Sequence, residues 1–201
     1  MDSKLSRRHV IAALPAGLAF AALPGAAMAL NVAEARALID RAIGEVNSVI
    51  NSGTSEAAMF RSFEAIFVRY SDVRYIAQSA LGPAGRGAPA SVMNAYVKAF
   101  QGYISRKYGR RFREFIGGKI VVTDARPLKS FYEVISVAHL KGQAPFEVRW
   151  HVFNKSGRDL FFNIIIEGVN MLAAERTEIG AMLDRRHGDI AALTADLKSA
   201  G

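Results

Sequence analysis

Apolar side chains recur every three or four positions along residues 32–50: Ala35, Leu38, Ile39, Ala42, Val46, Val49 and Ile50 share one stripe, with Arg36, Asp40, Glu45 and Asn47 off it. That spacing predicts an amphipathic helix, ended by Asn51-Ser52-Gly53. A second helix starts after Ser55, a good capping residue, with Phe60, Phe63, Ile66 and Phe67 as its apolar face. A third fits 71–81, capped by Ser71 or Asp72 and stopped by Gly82-Pro83. The glycine-rich stretch 82–89 reads as a connector, because no strand precedes it and no Gly-Lys-Ser/Thr follows to hold a phosphate. Pro89 then opens the longest helix, from 90 to about 115. Val92, Tyr96, Phe100, Tyr103, Ile104, Tyr108 and Phe112 form its broad face, and Arg106, Lys107, Arg110, Arg111 and Arg113 crowd its second half.

After Gly117-Gly118 the period changes to two. Strands are predicted over 119–124, 130–140, 146–153 and 159–167, with hairpin turns at Lys141-Gly142-Gln143 and Asn154-Lys155-Ser156-Gly157. The third alternates most cleanly: Phe146, Val148, Trp150 and Val152 face one way, Glu147, Arg149 and His151 the other. The fourth is apolar on both faces over 161–166, as in a strand covered on two sides. Helical spacing returns over 172–186, with Ile179, Met182 and Leu183 on one stripe, and a last helix follows Gly188-Asp189 with Ile190, Leu193 and Leu197. There are no internal repeats. Helices, then an antiparallel meander, then helices make an α+β domain.

Residues 1–29 stand apart. A basic start (Lys4, Arg7, Arg8), an apolar run over 10–23, the helix-breaking Pro24-Gly25 and the small-x-small Ala27-Met28-Ala29 make a signal peptide cleaved after Ala29. The apolar run is shorter than the roughly 20 residues of a membrane span. Ser6-Arg7-Arg8-His9 also fits a twin-arginine address, so the route, general secretory or twin-arginine, stays open. Residues 30–201 are then one domain outside the cytoplasm, expected to be a monomer. The chain has 26 Lys and Arg against 18 Asp and Glu, a formal charge of +8, and the signal removes three bases and one acid. The rest of the surplus is scattered, as on a solvated surface or one drawn to anionic lipid. No nucleic acid partner is expected of an exported chain. Cysteine is absent, which excludes disulfides, thiol catalysis and cysteine metal sites.

Little in the sequence asks for catalysis. His139, His151 and His187 have no metal-ligand spacing, so no metal or cofactor is expected. No Gly-x-Ser-x-Gly elbow is present. Glu167 ends an apolar strand just before Gly168, and two readings stay open: a buried catalytic acid, or a structural partner for an arginine such as Arg176. The stronger signal is twelve Phe and six Tyr on wide stripes, which suit either a filled core or a lipid cavity.

The end of the chain carries a resemblance. Asn163-Ile164-Ile165-Ile166-Glu167-Gly168-Val169-Asn170-Met171, then Arg176-Thr177-Glu178, then Gly188-Asp189-Ile190-Ala191-Ala192-Leu193 before Leu197-Lys198, closely resembles the MlaC, or toluene-tolerance, family. Asp72-Val73-Arg74-Tyr75-Ile76-Ala77 through Ala80-Leu81-Gly82, and Ala99-Phe100 with Tyr103 and Tyr108, are similar to two further family segments. The chain departs from the family pattern at Pro83-Ala84-Gly85-Arg86, at Asn163 where an acid is usual, and at Asn170 where Ser is usual.

The resemblance implies a twisted antiparallel sheet of four to five strands wrapped by N- and C-terminal helices, with an apolar cavity between them. It implies a periplasmic carrier with bound phospholipid as cargo, shuttling between an outer-membrane lipoprotein–porin complex and an inner-membrane ABC transporter with an MCE-type subunit. A hopanoid or other sterol-like cargo is the nearest alternative, and an exported enzyme using Glu167 is the alternative of another class. On this reading Phe67, Tyr70, Val73, Ile76, Tyr96, Phe100, Ile104 and Tyr108 form one cavity wall, and Val122, Val134, Val148, Trp150, Phe162 and Ile164 the other. Arg106, Arg110 and Arg111 are expected to meet headgroups or partners, and Glu167, Gly168 and Arg176 to be structural.

Overall fold

The computed structural model describes residues 30–201, apart from the side chains of 111–113. The expected signal peptide, residues 1–29, lies outside the described residues. Helix α1 (Val32–Ile50) starts in a reciprocal capping box, in which Asn31 and Glu34 each accept the other's backbone N–H at 3.0 Å. Then come α2 (Glu56–Tyr70) and α3 (Val73–Leu81). Asp72, rather than Ser71, caps α3, accepting from the Tyr75 N–H at 2.9 Å. Helix α4 (Ala90–Gly109) follows, shorter than the sequence predicts, because a 3-10 turn replaces it over Arg110–Phe115. Gly109 marks the change: a Cβ there would lie 2.8 Å from the Phe60 ring on α2.

The sheet is an antiparallel meander in the order β1-β2-β3-β4-β5. Its strands are β1 (Lys119–Leu128), β2 (Phe131–His139), β3 (Phe146–Phe153), β4 (Leu160–Ile166) and the two-residue β5 (Val169–Asn170). Helices α5 (Met171–Asp184) and α6 (Ile190–Ser199) close the chain. Two differences from the predicted strands have local causes. A bulge between Val122 and Asp124 breaks the alternation of β1, which then continues through Pro127, a residue that an edge strand tolerates. The strand β5 is too short to leave a periodic signal. It joins β4 through Glu167 and Gly168, both at positive φ (49° and 81°), a two-residue hairpin turn.

Side chains separate into two cores. One lies between α1, α2 and one face of the sheet, around Ile39, Val134 and Val152. The other is helical, α3, α4, α5 and α6 packing around Tyr96, Phe100, Ile179, Leu193 and Leu197. Among the described residues no helix is long and apolar enough to cross a membrane.

Polar side chains of α1 also hold the outer edge of β1. Asn47 pairs with both peptide groups of Ile120, donating to its carbonyl and accepting from its N–H, each at 3.0 Å. Arg36 donates to the Val122 carbonyl at 3.2 Å. Replacing Asn47 with Ala removes both bonds to a buried strand residue. We expect a loss of about 1–2 kcal/mol in urea unfolding, since the freed groups regain only part of their hydration; a loss below experimental error would deny the clamp any structural weight.

Candidate functional site: a cavity between two cores

The two cores do not fully meet, and an apolar cavity of about 190 Å³ lies between them. Ala42 and Val46 of α1 and Phe63, Ile66 and Phe67 of α2 line one side. Ile76 of α3, Ile104, Ser105, Tyr108 and Gly109 of α4, and Met171, Leu172 and Glu175 of α5 line the helical side. The sheet contributes Trp150 from β3 and Phe161, Phe162, Asn163, Ile164 and Ile166 from β4.

A second bulge makes the unbroken run 161–164 possible. His151 lies opposite Asn163 but Val152 opposite Phe161, so Phe162 has no partner on β3. Both aromatic rings are thereby used. Phe161 lies edge-on to Trp150 at 5.4 Å, whereas Phe162 enters a ring cluster with Tyr75 at 5.4 Å, Phe131 at 5.4 Å and Phe153 at 4.4 Å. The polar atoms of the lining are mostly satisfied by protein. Trp150 donates from its indole nitrogen to Ser136 Oγ at 2.9 Å, and Ser136 donates on to the Val148 carbonyl at 3.1 Å. Ser105 donates to the Gln101 carbonyl at 2.9 Å. Asn163 accepts from the Leu172 N–H at 3.1 Å and Asn170 from the Ala173 N–H at 3.0 Å. The two asparagines that depart from the family pattern therefore both cap the first turn of α5, which sets that helix against the cavity.

Among the described residues one charged group reaches the wall. Glu175, on α5, is only 3% exposed. Its Oε1 accepts from Lys107 Nζ at 2.7 Å and from the Tyr108 hydroxyl. Lys107 also donates to Glu178, which accepts from the Tyr103 hydroxyl at 2.6 Å. Burial pushes the Tyr96 and Tyr103 phenols far above their ordinary range, with the charge of Glu175 adding to it at Tyr96 and the bond to Glu178 at Tyr103, so both stay protonated. Burial works to raise Glu178, but the bonds from Lys107 and Tyr103 outweigh it and hold that carboxyl below its usual value. Among the described residues no three His, Asp or Glu side chains gather as a cation site.

The fourteen residues expected to line a cavity divide evenly. Phe67, Ile76, Ile104, Tyr108, Trp150, Phe162 and Ile164 meet at this one. Tyr96 and Phe100 fill the helical core instead, and Val122, Val134 and Val148 pack under α1 and α2. Tyr70 donates to Glu45 at 2.7 Å on the far side of α2, and the half-buried Val73 also lies off the cavity lining. Helical period identifies a buried face, but a face is wider than the seam where two cores part.

Among the charged residues, Arg106 and Glu167 stand elsewhere than expected. Arg106, expected at headgroups, donates instead to the Ala200 carbonyl at 2.9 Å and to that of Leu197, closing the C-terminus of α6. Arg110 is exposed just beyond α4, and the side chain of Arg111 lies outside the described residues. Glu167 is an exposed turn residue that neither lines the cavity nor bonds Arg176. The Arg176 guanidinium lies against Gly82 instead, 3.5 Å from where a Cβ would stand. The buried acid is Glu175, eight residues further on. Its signal was a carboxylate three residues after Leu172 and four before Ile179, on the apolar stripe of α5.

His151 stands at the rim of the ring cluster, 4.6 Å from Phe131, with Glu133 Oε1 at 3.5 Å. Burial lowers its pKa despite the charge of Glu133, which Arg126 already holds through two bonds. The folded protein therefore resists protonating a group that the unfolded chain protonates near pH 6.5. Stability is expected to fall as pH drops through 6.5 towards the lower folded value. In His151→Gln the melting temperature should change less between pH 7 and 5; an equal slope would remove His151 from the account.

Comparisons with known proteins bear on the fold and the family. A solved structure of a phospholipid-binding protein from Ralstonia solanacearum, in complex with a phospholipid, superposes with a TM-score of 0.70 at 17% identity, covering 82% of this chain and 95% of that one. That likeness shows the fold. The family model described as MlaC protein matches residues 39–199, from the first helix through the last, and the chain belongs to the MlaC family.

Proposed function

We propose that this protein is a periplasmic phospholipid carrier of an Mla-type system, exported by a signal cleaved after Ala29. It would pass lipid between an outer-membrane lipoprotein–porin complex and an inner-membrane ABC transporter with an MCE-type subunit. The observation that carries the reading is the apolar cavity at the seam of two cores. Family membership and the phospholipid held by the Ralstonia protein support it.

The physical need is large. Exposing about 30 chain methylenes at about 0.8 kcal/mol each costs on the order of 24 kcal/mol, so a lipid crosses water only with its tails covered. The cavity is smaller than the roughly 300–1,000 Å³ of ordinary ligand sites, so taking both chains requires its walls to separate. The walls belong largely to different cores, with Phe67 packed against both, so the seam is where they would part.

Mass spectrometry of organic extracts of the protein purified from its own periplasm tests the cargo. Phospholipid at near one molecule per chain is expected. Protein that carries no lipid, and takes none from vesicles, overturns the reading; a triterpenoid in its place would establish the sterol-like variant. The enzyme alternative rested on a buried Glu167, and that residue is exposed.

A further inference from the structure

The cavity lining holds one polar atom that the protein leaves unsatisfied. Glu175 Oε2 is buried and has no hydrogen-bond partner among the described residues. Its neighbours in the lining differ: Ser105 is bonded to its own helix, and Asn163 to α5 and His151. A buried carboxylate oxygen without a donor is costly, and such exceptions call for an explanation. Lys107 and Tyr108 account for Oε1 of Glu175 but leave Oε2 without a donor.

The surroundings restrict the chemistry of a partner. Glu175 and Glu178 share one ammonium, Lys107, so the cluster in contact carries more negative charge than positive. Arg185 acts on Glu178 without a direct bond. A phosphate placed at Oε2 would be repelled. A donor, and a cationic donor above all, would be attracted. The cluster also runs outwards: the side chains of Lys107 and Glu178 are 26% and 48% exposed, so the cluster links the cavity lining at Glu175 to the protein surface.

We propose that Glu175 Oε2 accepts an N–H or O–H from the polar end of the bound lipid, so that the cavity selects lipids whose headgroup can donate over those whose headgroup cannot. An ethanolamine ammonium or a glycerol hydroxyl meets the requirement. A trimethylated choline does not. This rests on the carrier reading and specifies it.

The test exposes the protein to vesicles with equal parts phosphatidylethanolamine, phosphatidylglycerol and phosphatidylcholine, reisolates it, and measures bound lipid by mass spectrometry. Wild type is expected to favour one or both donor lipids over phosphatidylcholine by about tenfold, the scale of a hydrogen bond to a charged group, and Glu175→Gln to bring the ratio within about twofold. The glutamine keeps an acceptor for Lys107 but offers an amide donor at the second position. Glu178→Gln leaves Oε2 as it is and should keep the preference, which separates the site from general loss of charge. Parity between the three lipids in wild type overturns the inference alone, as does an undiminished preference in Glu175→Gln. If that variant fails to fold, the wild-type ratio and Glu178→Gln decide. Failure to take any lipid overturns the carrier reading together with this one.

Discussion

Protein carrying Ile104→Trp should hold phospholipid at least about fifteenfold more weakly and emerge from purification with a reduced load, because shutting out only two methylenes costs about 1.6 kcal/mol. Ile104 belongs both to the helical core and to the cavity lining, so a larger apolar side chain there has empty space to enter. Growth into a void avoids most of the strain that overpacking brings to a filled core. The melting temperature of the lipid-free variant should therefore stay close to that of lipid-free wild type. Mass spectrometry of extracts and a thermal melt read the two effects separately. A variant that melts normally and keeps its full lipid load would place the cargo somewhere other than this cavity.

Phe100→Ala is expected to do the opposite. Phe100 is fully buried between Tyr96 and Tyr103, with ring centroids at 5.9 and 6.2 Å, and it does not line the cavity. Truncating it removes a large apolar surface and leaves a void in the helical core, at a cost of about 3–5 kcal/mol. Against a total stability of about 5–15 kcal/mol, that is a major fraction. The urea midpoint should fall with little change in slope, and the fraction that still folds should keep its lipid. A loss below about 1 kcal/mol would mean that the helical core collapses around the gap more completely than its packing suggests.

These two residues sit four apart on one helix face, and the sequence reads them alike. That is where legibility ends. Helical spacing and the period of two were enough to find α1, α3 and β3 nearly to the residue, and the start of α2, because one face of each is buried and the other is not. Caps were legible too: Ser55 and Asp189 do what their side chains suit them for. What failed depends on distant partners. The bulges at Thr123 and Phe162 arise from register against a neighbouring strand, so no local pattern announces them. Choosing Ile104 but not Phe100 for the cavity requires knowing that α4 touches the other core only along part of its face. Arginines in the second half of α4 look free in a sequence, yet Arg106 is committed to carbonyls some ninety residues away. Glu175 was a missed residue that its own helix could have revealed.

The clamp of Asn47 on Ile120 has a consequence for encounters between copies of the chain. An open sheet has two margins, and each can template another strand. At one margin the first half of β1 already has a side chain standing in for its next neighbour. Its second half carries a bulge and Pro127, which has no N–H to offer. At the other margin β5 is two residues long before the chain turns into α5. The β1 margin therefore offers a second molecule only a broken run of free peptide groups on which to pair. A carrier that parts its walls to take lipid would therefore keep its β1 edge from joining neighbouring copies into fibres.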